Sequence, residues 1–174
     1  MVKYKTHIIV AVILVMAVWY LWYSRPVDIY HLMGIRKPDA VDILVDRMDN
    51  HAAGGFSSFR LQAGEEDMNN VLQEMESLRF RRSPVDLFQK LAAKTGLLSG
   101  GLSGQFDPDM DYEVWVSLHK GEERSELRYF GSNWAYEYDG FLIPVSVTDG
   151  LEKGRELGAY LFELRQEREM VQAG

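Results

Sequence analysis

Hydrophobic and polar positions along the chain fall into three regimes: one continuous apolar run, stretches that alternate with period two, and stretches that repeat every three to four residues. The run covers residues 8–23 (IIVAVILVMAVWYLWY) and holds neither charge nor proline. With Thr6, His7 and Ser24 as half-polar ends it approaches the roughly 20 residues a helix needs to cross a hydrocarbon core. Inside a bilayer only a helix satisfies its own backbone. The run closes on Trp19, Tyr20, Trp22 and Tyr23, which suit a membrane–water interface and leave no small-residue site for cleavage of a signal peptide. The pattern predicts an uncleaved transmembrane helix over 7–24. A short basic cytoplasmic tail over 1–6 precedes it, and a juxtamembrane linker over 25–38 follows. Lys3 and Lys5, packed close to the span, place the N-terminus inside. The expected address is a cell membrane, single-pass, in contact with lipid through residues 7–24 and with the domain outside.

Beyond the linker the patterning predicts one domain over 39–172, a size that buries a core without staples. Val41, Ile43 and Val45 alternate with polar neighbours as in a half-buried strand, and residues 56–61 return as its hairpin partner. Met68, Val71, Leu72, Met75 and Leu78 recur at helical spacing behind the acidic start at Glu65, Glu66 and Asp67. Ser83 and Pro84 open a second helix whose face is Val85, Phe88, Leu91 and Ala92. Four alternating stretches then follow: Tyr112 to Leu118, Leu127 to Tyr129, Trp134 to Tyr138, and Phe141 to Val145. Asp139-Gly140 between the last two is a strong hairpin signal. A last helix begins with Thr148 as N-cap and buries Leu151, Leu157, Leu161 and Leu164. The expected fold class is α+β: an N-terminal transmembrane helix, then an antiparallel sheet (a hairpin plus a four-stranded meander) packed with two central helices and a C-terminal helix.

Composition narrows the partners. All 26 acidic residues lie beyond Pro26, and the chain carries a formal charge of −7, so nucleic acid is not an expected partner. Without a single cysteine the chain is indifferent to redox compartment.

Candidate chemistry is sparse. Asp107, Asp109 and Asp111 alternate in a loop that would suit a hard cation, but an EF-hand wants glycine and glutamate where Tyr112 and Leu118 stand. They are a weak calcium candidate, and no metal, cofactor or catalytic residue is expected. His7, His31, His51 and His119 show no zinc-protease spacing, and no nucleophile elbow, Walker loop or dinucleotide fingerprint occurs. The aromatics Trp115, Trp134, Tyr136 and Tyr138 are candidates for ligand or partner binding, to the extent that core packing leaves them exposed. Alternation puts the last three on one face and Trp115 on the other. Gly150, Gly154 and Gly158 share one helix face, which predicts close backbone approach to the sheet or a homodimer contact.

Leu78 to Phe80 closing a helix, Tyr129-Phe130-Gly131, and the aromatic hairpin from Trp134 to Pro144 together resemble uncharacterised small membrane-anchored α+β domains of Gram-positive bacteria. That resemblance covers roughly residues 40–146 and implies a fold and an address, with no assigned activity. The function expected is a membrane-anchored, non-catalytic interaction domain that binds an unknown protein or cell-envelope partner. The alternatives are a cell-envelope hydrolase with a dispersed active site, or a cytoplasm-facing regulatory domain if the topology is reversed.

Overall fold

The computed structural model describes residues 2–47, 57–95, 112–130, 133–148 and 150–173. Seven strands form one antiparallel sheet: β1 (Ala40–Arg47), β2 (Ser57–Gln62), β3 (Phe80–Arg81), β4 (Tyr112–Lys120), β5 (Glu123–Phe130), β6 (Asn133–Tyr138) and β7 (Phe141–Val147), in the order β2-β1-β4-β5-β6-β7-β3. Five helices accompany them among the described residues: α1 (Val2–Tyr23), α2 (Ile29–Met33), α3 (Glu66–Ser77), α4 (Val85–Lys94) and α5 (Gly150–Ala173). The fold class is α+β with hairpin, meander, central helices and C-terminal helix in the expected order. At the Asp139-Gly140 turn both residues take positive φ, 50° and 79°, as the tight hairpin requires.

Strict alternation gives the sheet two unlike faces. On one, Val41, Ile43 and Val45 of β1 pair across to Leu118, Val116 and Val114 of β4, and on to Leu127 and Tyr129 of β5. All of these are buried, and with Leu61, Met68, Val71, Met75, Phe80, Leu157 and Leu161 they form a single core. The helix α5 lies along β1, β4 and β7, and α3 packs between α2, α5 and β2. The other face carries Asp42, Ser117, Glu126 and their neighbours.

Three expectations are corrected. No helix among the described residues is long and apolar enough to cross a membrane, so the single-pass signal-anchor reading of residues 7–24, and with it the cell-membrane address and outward-facing domain, is not supported. Ser24 lies past the helix end, and Tyr23 is only 8% exposed because its ring is docked on the domain under the Arg82 guanidinium. The free uncharged stretch is therefore residues 8–22, about 22 Å long at 1.5 Å per residue, against a hydrocarbon core of about 30 Å.

The segment 25–38 is not a linker. Val27 exchanges two 2.9 Å backbone hydrogen bonds with Phe80. Asp28 caps α2 by accepting from the His31 N–H, and Ile29, Leu32, Met33 and Ile35 enter the core. This strap also explains β3. The chain leaves α3 at Ser77, turns extended at Leu78, and Phe80 and Arg81 pair with Val147 and Ser146 at the sheet edge, so Leu78 to Phe80 do not close a helix. Thr148 donates its hydroxyl to the Arg79 carbonyl at 3.2 Å, tying α5 to the same corner.

The apolar face expected to bury α4 points outward instead: Val85 is 58%, Phe88 74% and Leu91 61% exposed. Asp86 and Lys90, one turn apart, make the inward contact, with the Lys90 ammonium 5.1 Å and 5.0 Å from the Tyr136 and Tyr138 ring centroids.

Candidate functional site

The sheet face on which none of the described helices lies holds a cavity of about 390 Å³ whose polar wall is Asp42 and Arg60 on β1 and β2, Trp115 and Ser117 on β4, and Arg124 and Glu126 on β5. Antiparallel register builds it. Asp42, Ser117 and Glu126 stand opposite one another on three adjacent strands, and Arg60 faces Asp42 from the fourth. Arg60 donates to Asp42 through Nε at 2.5 Å and Nη2 at 2.6 Å, the bidentate fork that matches a carboxylate. These hydrogen bonds hold the Asp42 carboxyl below its ordinary value, against partial burial. On the far side Glu126, only 3% exposed, accepts from Arg124 at 2.8 Å and from the Arg128 Nε–H. The Arg128 guanidinium lies 3.7 Å from the Trp115 ring centroid, and the indole N–H donates to Glu113 at 2.6 Å. Asp42, Glu126 and Arg124 each meet two neighbours, which pre-orients the centre of the wall, and among the described residues Arg60 is held by Asp42 alone.

His119 stands beside Asp42, with Nε2 2.8 Å from Oδ2, and Ser117 shares its face. This is the collection a dispersed hydrolase would need, but the roles do not connect. The Ser117 hydroxyl accepts from Arg124 at 3.3 Å, and among the described residues it makes no hydrogen bond to His119. Asp42 is occupied by Arg60, and β4 around Ser117 is paired on both sides within the sheet.

A second polar cluster lies beneath α4. The Tyr23 and Tyr136 hydroxyls, Arg82 Nε and Asp86 Oδ2 are each buried without a well-formed hydrogen bond among the described residues. Burial pushes the Asp86 carboxyl up and the Lys90 ammonium down, and it raises both phenols. The Arg82 guanidinium over the Tyr23 ring at the end of α1, and the Lys90 ammonium of α4 over the Tyr136 ring of β6, are the contacts made here.

The sequence-derived candidates separate accordingly. Trp115 borders the open-face cavity. Trp134 is a core residue, with its ring 4.8 Å from Tyr129 and edge-on to Phe80 at 5.5 Å, and Tyr136 is buried below Lys90. Tyr138 is half-buried between Lys90 and Lys94. The four do not make a common exposed patch, because three of them face the helices. Gly154 and Gly158 meet Tyr129 and Tyr112 of the sheet, the close approach expected of the glycine face, and Gly150 is the first residue of α5. Asp107, Asp109 and Asp111 lie outside the described residues. Asp42, Arg60, Ser117, Arg124 and Glu126 escaped sequence reading as a group. The signal was the short turn after Lys120, which sets Ser117 opposite Glu126 once the hairpin is registered.

No protein-family model matches the chain, and neither a curated protein nor a solved structure is found to be similar to it.

Proposed function

We propose that the chain is a non-catalytic interaction domain that assembles with a second copy of itself through α1. The observation that carries this reading is the exposure, on all its sides, of the uncharged stretch of α1. From Ile8 to Trp22 the large apolar side chains are between 41% (Trp19) and 70% (Leu21) exposed. A helix apolar all round is stable in water only when covered. Its exposed area is on the order of 1,500 Å², well above the roughly 300–600 Å² patch of an ordinary monomer and above the roughly 800 Å² per partner that a stable dimer buries.

A second copy supplies matching chemistry. Two α1 helices cover one side of each other, and the outward stripe of Val85, Phe88 and Leu91 on α4 offers further apolar surface. Tyr23 brings the two elements together, since its ring sits against Arg82 and its phenol faces Asp86 of α4. Nothing in this arrangement calls for a reaction.

The cysteine-free background makes the test direct. A single Val15→Cys substitution, on a side chain 68% exposed, should give an oxidation-dependent covalent dimer of the full chain in lipid-free buffer. Val171→Cys, 82% exposed at the other end of the domain, should not. Equal crosslinking at both positions would overturn the reading.

A further inference from the structure

We propose that the sheet face free of described helices binds a neutral, polyhydroxylated ligand of one to two sugar rings, between Arg60 and Arg124 and against Trp115. This inference stands apart from self-association through α1, because it rests on the opposite face of the strands.

The first argument is burial without a cover. No described helix lies on this face, yet Ser117 is 6% and Glu126 3% exposed, sunk beneath arginine side chains that stand up around a cavity of about 390 Å³. That volume is within the range of small-ligand sites, and the frame is the middle of a sheet.

The second argument is charge. Asp42 and Glu126 offset Arg60 and Arg124, so the wall has no net formal charge. A neutral wall disfavours a free oxyanion, which would face two carboxylates, and a cation, which would face two guanidiniums. What remains is an alternation of donors and acceptors. Arg60 has five N–H donors and spends two on Asp42. Arg124 spends its Nη2 on Ser117 and Glu126, and the Ser117 hydroxyl both donates and accepts. Adjacent hydroxyls on a ring have this dual character, and a guanidinium–carboxylate pair fits two of them side by side.

The third argument is the aromatic wall. Trp115 is partly exposed and fixed at both ends, by its N–H on Glu113 and by Arg128 on its ring. With one ring face under Arg128, the part of the indole that lines the cavity offers a rigid apolar surface to the C–H side of a sugar ring.

The test is an NMR titration of the full chain with its tryptophans labelled, in which the Trp115 indole N–H is assigned by its absence in Trp115→Phe. Maltose, cellobiose and N,N′-diacetylchitobiose are added separately. At least one should move the Trp115 signal saturably and leave those of Trp19, Trp22 and Trp134 in place. Arg124→Gln, at an exposed side chain, should weaken that affinity tenfold or more with the melting temperature kept. Ser117→Leu, which fills the floor, should abolish binding. No shift with any of the three sugars, or an affinity unchanged in both variants, would overturn the proposal. So would an equal response to inorganic phosphate, which would make this a charge site.

Discussion

Gly158 lies so close to Tyr112 that no side chain fits between them: a Cβ added at Gly158 would stand 2.8 Å from the Tyr112 Cβ and 2.9 Å from its Cγ. These atoms are near the backbone of β4 and cannot swing aside. Gly158→Ala should therefore lose about 1–3 kcal/mol through overpacking, although alanine is the better helix former by about 1 kcal/mol. Gly154→Ala should lose a similar amount. Its Cβ would come 2.6 Å from the Tyr129 ring, which is 1% exposed and braced by Trp134. Urea unfolding measures both, and a rise in midpoint for either would contradict the close approach of α5 to the sheet.

The strap before β1 should behave as core. Ile29 is fully buried, so Ile29→Ala should lose about 2–5 kcal/mol. A linker residue would lose almost nothing, and thermal unfolding separates these outcomes.

Asp86 should make stability fall as pH rises. Burial lifts its carboxyl above the ordinary value, so the folded state holds its proton more tightly than the unfolded chain. Stability is then full below the unfolded pKa of about 3.9 and is lost as pH climbs through the raised folded value. Asp86→Asn removes that loss. It should stabilise the protein near neutral pH, where the carboxyl is ionised against its burial, and change stability little at pH 4. The opposite trend, with the variant weaker at pH 7 than at pH 4, would show Asp86 to be a well-paired carboxylate.

The strands were legible because one face of each is fully apolar. The period-two positions from Val41 to Val45 and from Val114 to Leu118 announce both the strand and its inward side. The short pieces were not legible. Phe80 and Arg81 form a strand only because Val27 and Val147 flank them in space, and a helical stripe running through Leu78 concealed the break. The inverted seating of α4 was equally hidden. Its moment points at Val85, Phe88 and Leu91, but Lys90 over two tyrosine rings and the buried Asp86 outweigh it. The open-face site shows a third limit, since its residues are separated by 84 positions between Asp42 and Glu126 and meet only through register. The run over 8–23 signalled a span by its hydropathy, but as a helix it is about 24 Å long, short of a hydrocarbon core of about 30 Å, and the docking of Tyr23 takes one more residue from it.

Sedimentation equilibrium of the full chain in lipid-free aqueous buffer tests self-association most directly. The chain should run at twice its 20.0 kDa mass. Ile13→Glu with Leu14→Arg, on side chains 59% and 60% exposed, should return it to the monomer with the sheet's circular dichroism intact. A full chain that sediments as a monomer, or that leaves its own kind to float with phospholipid vesicles, would contradict assembly through α1.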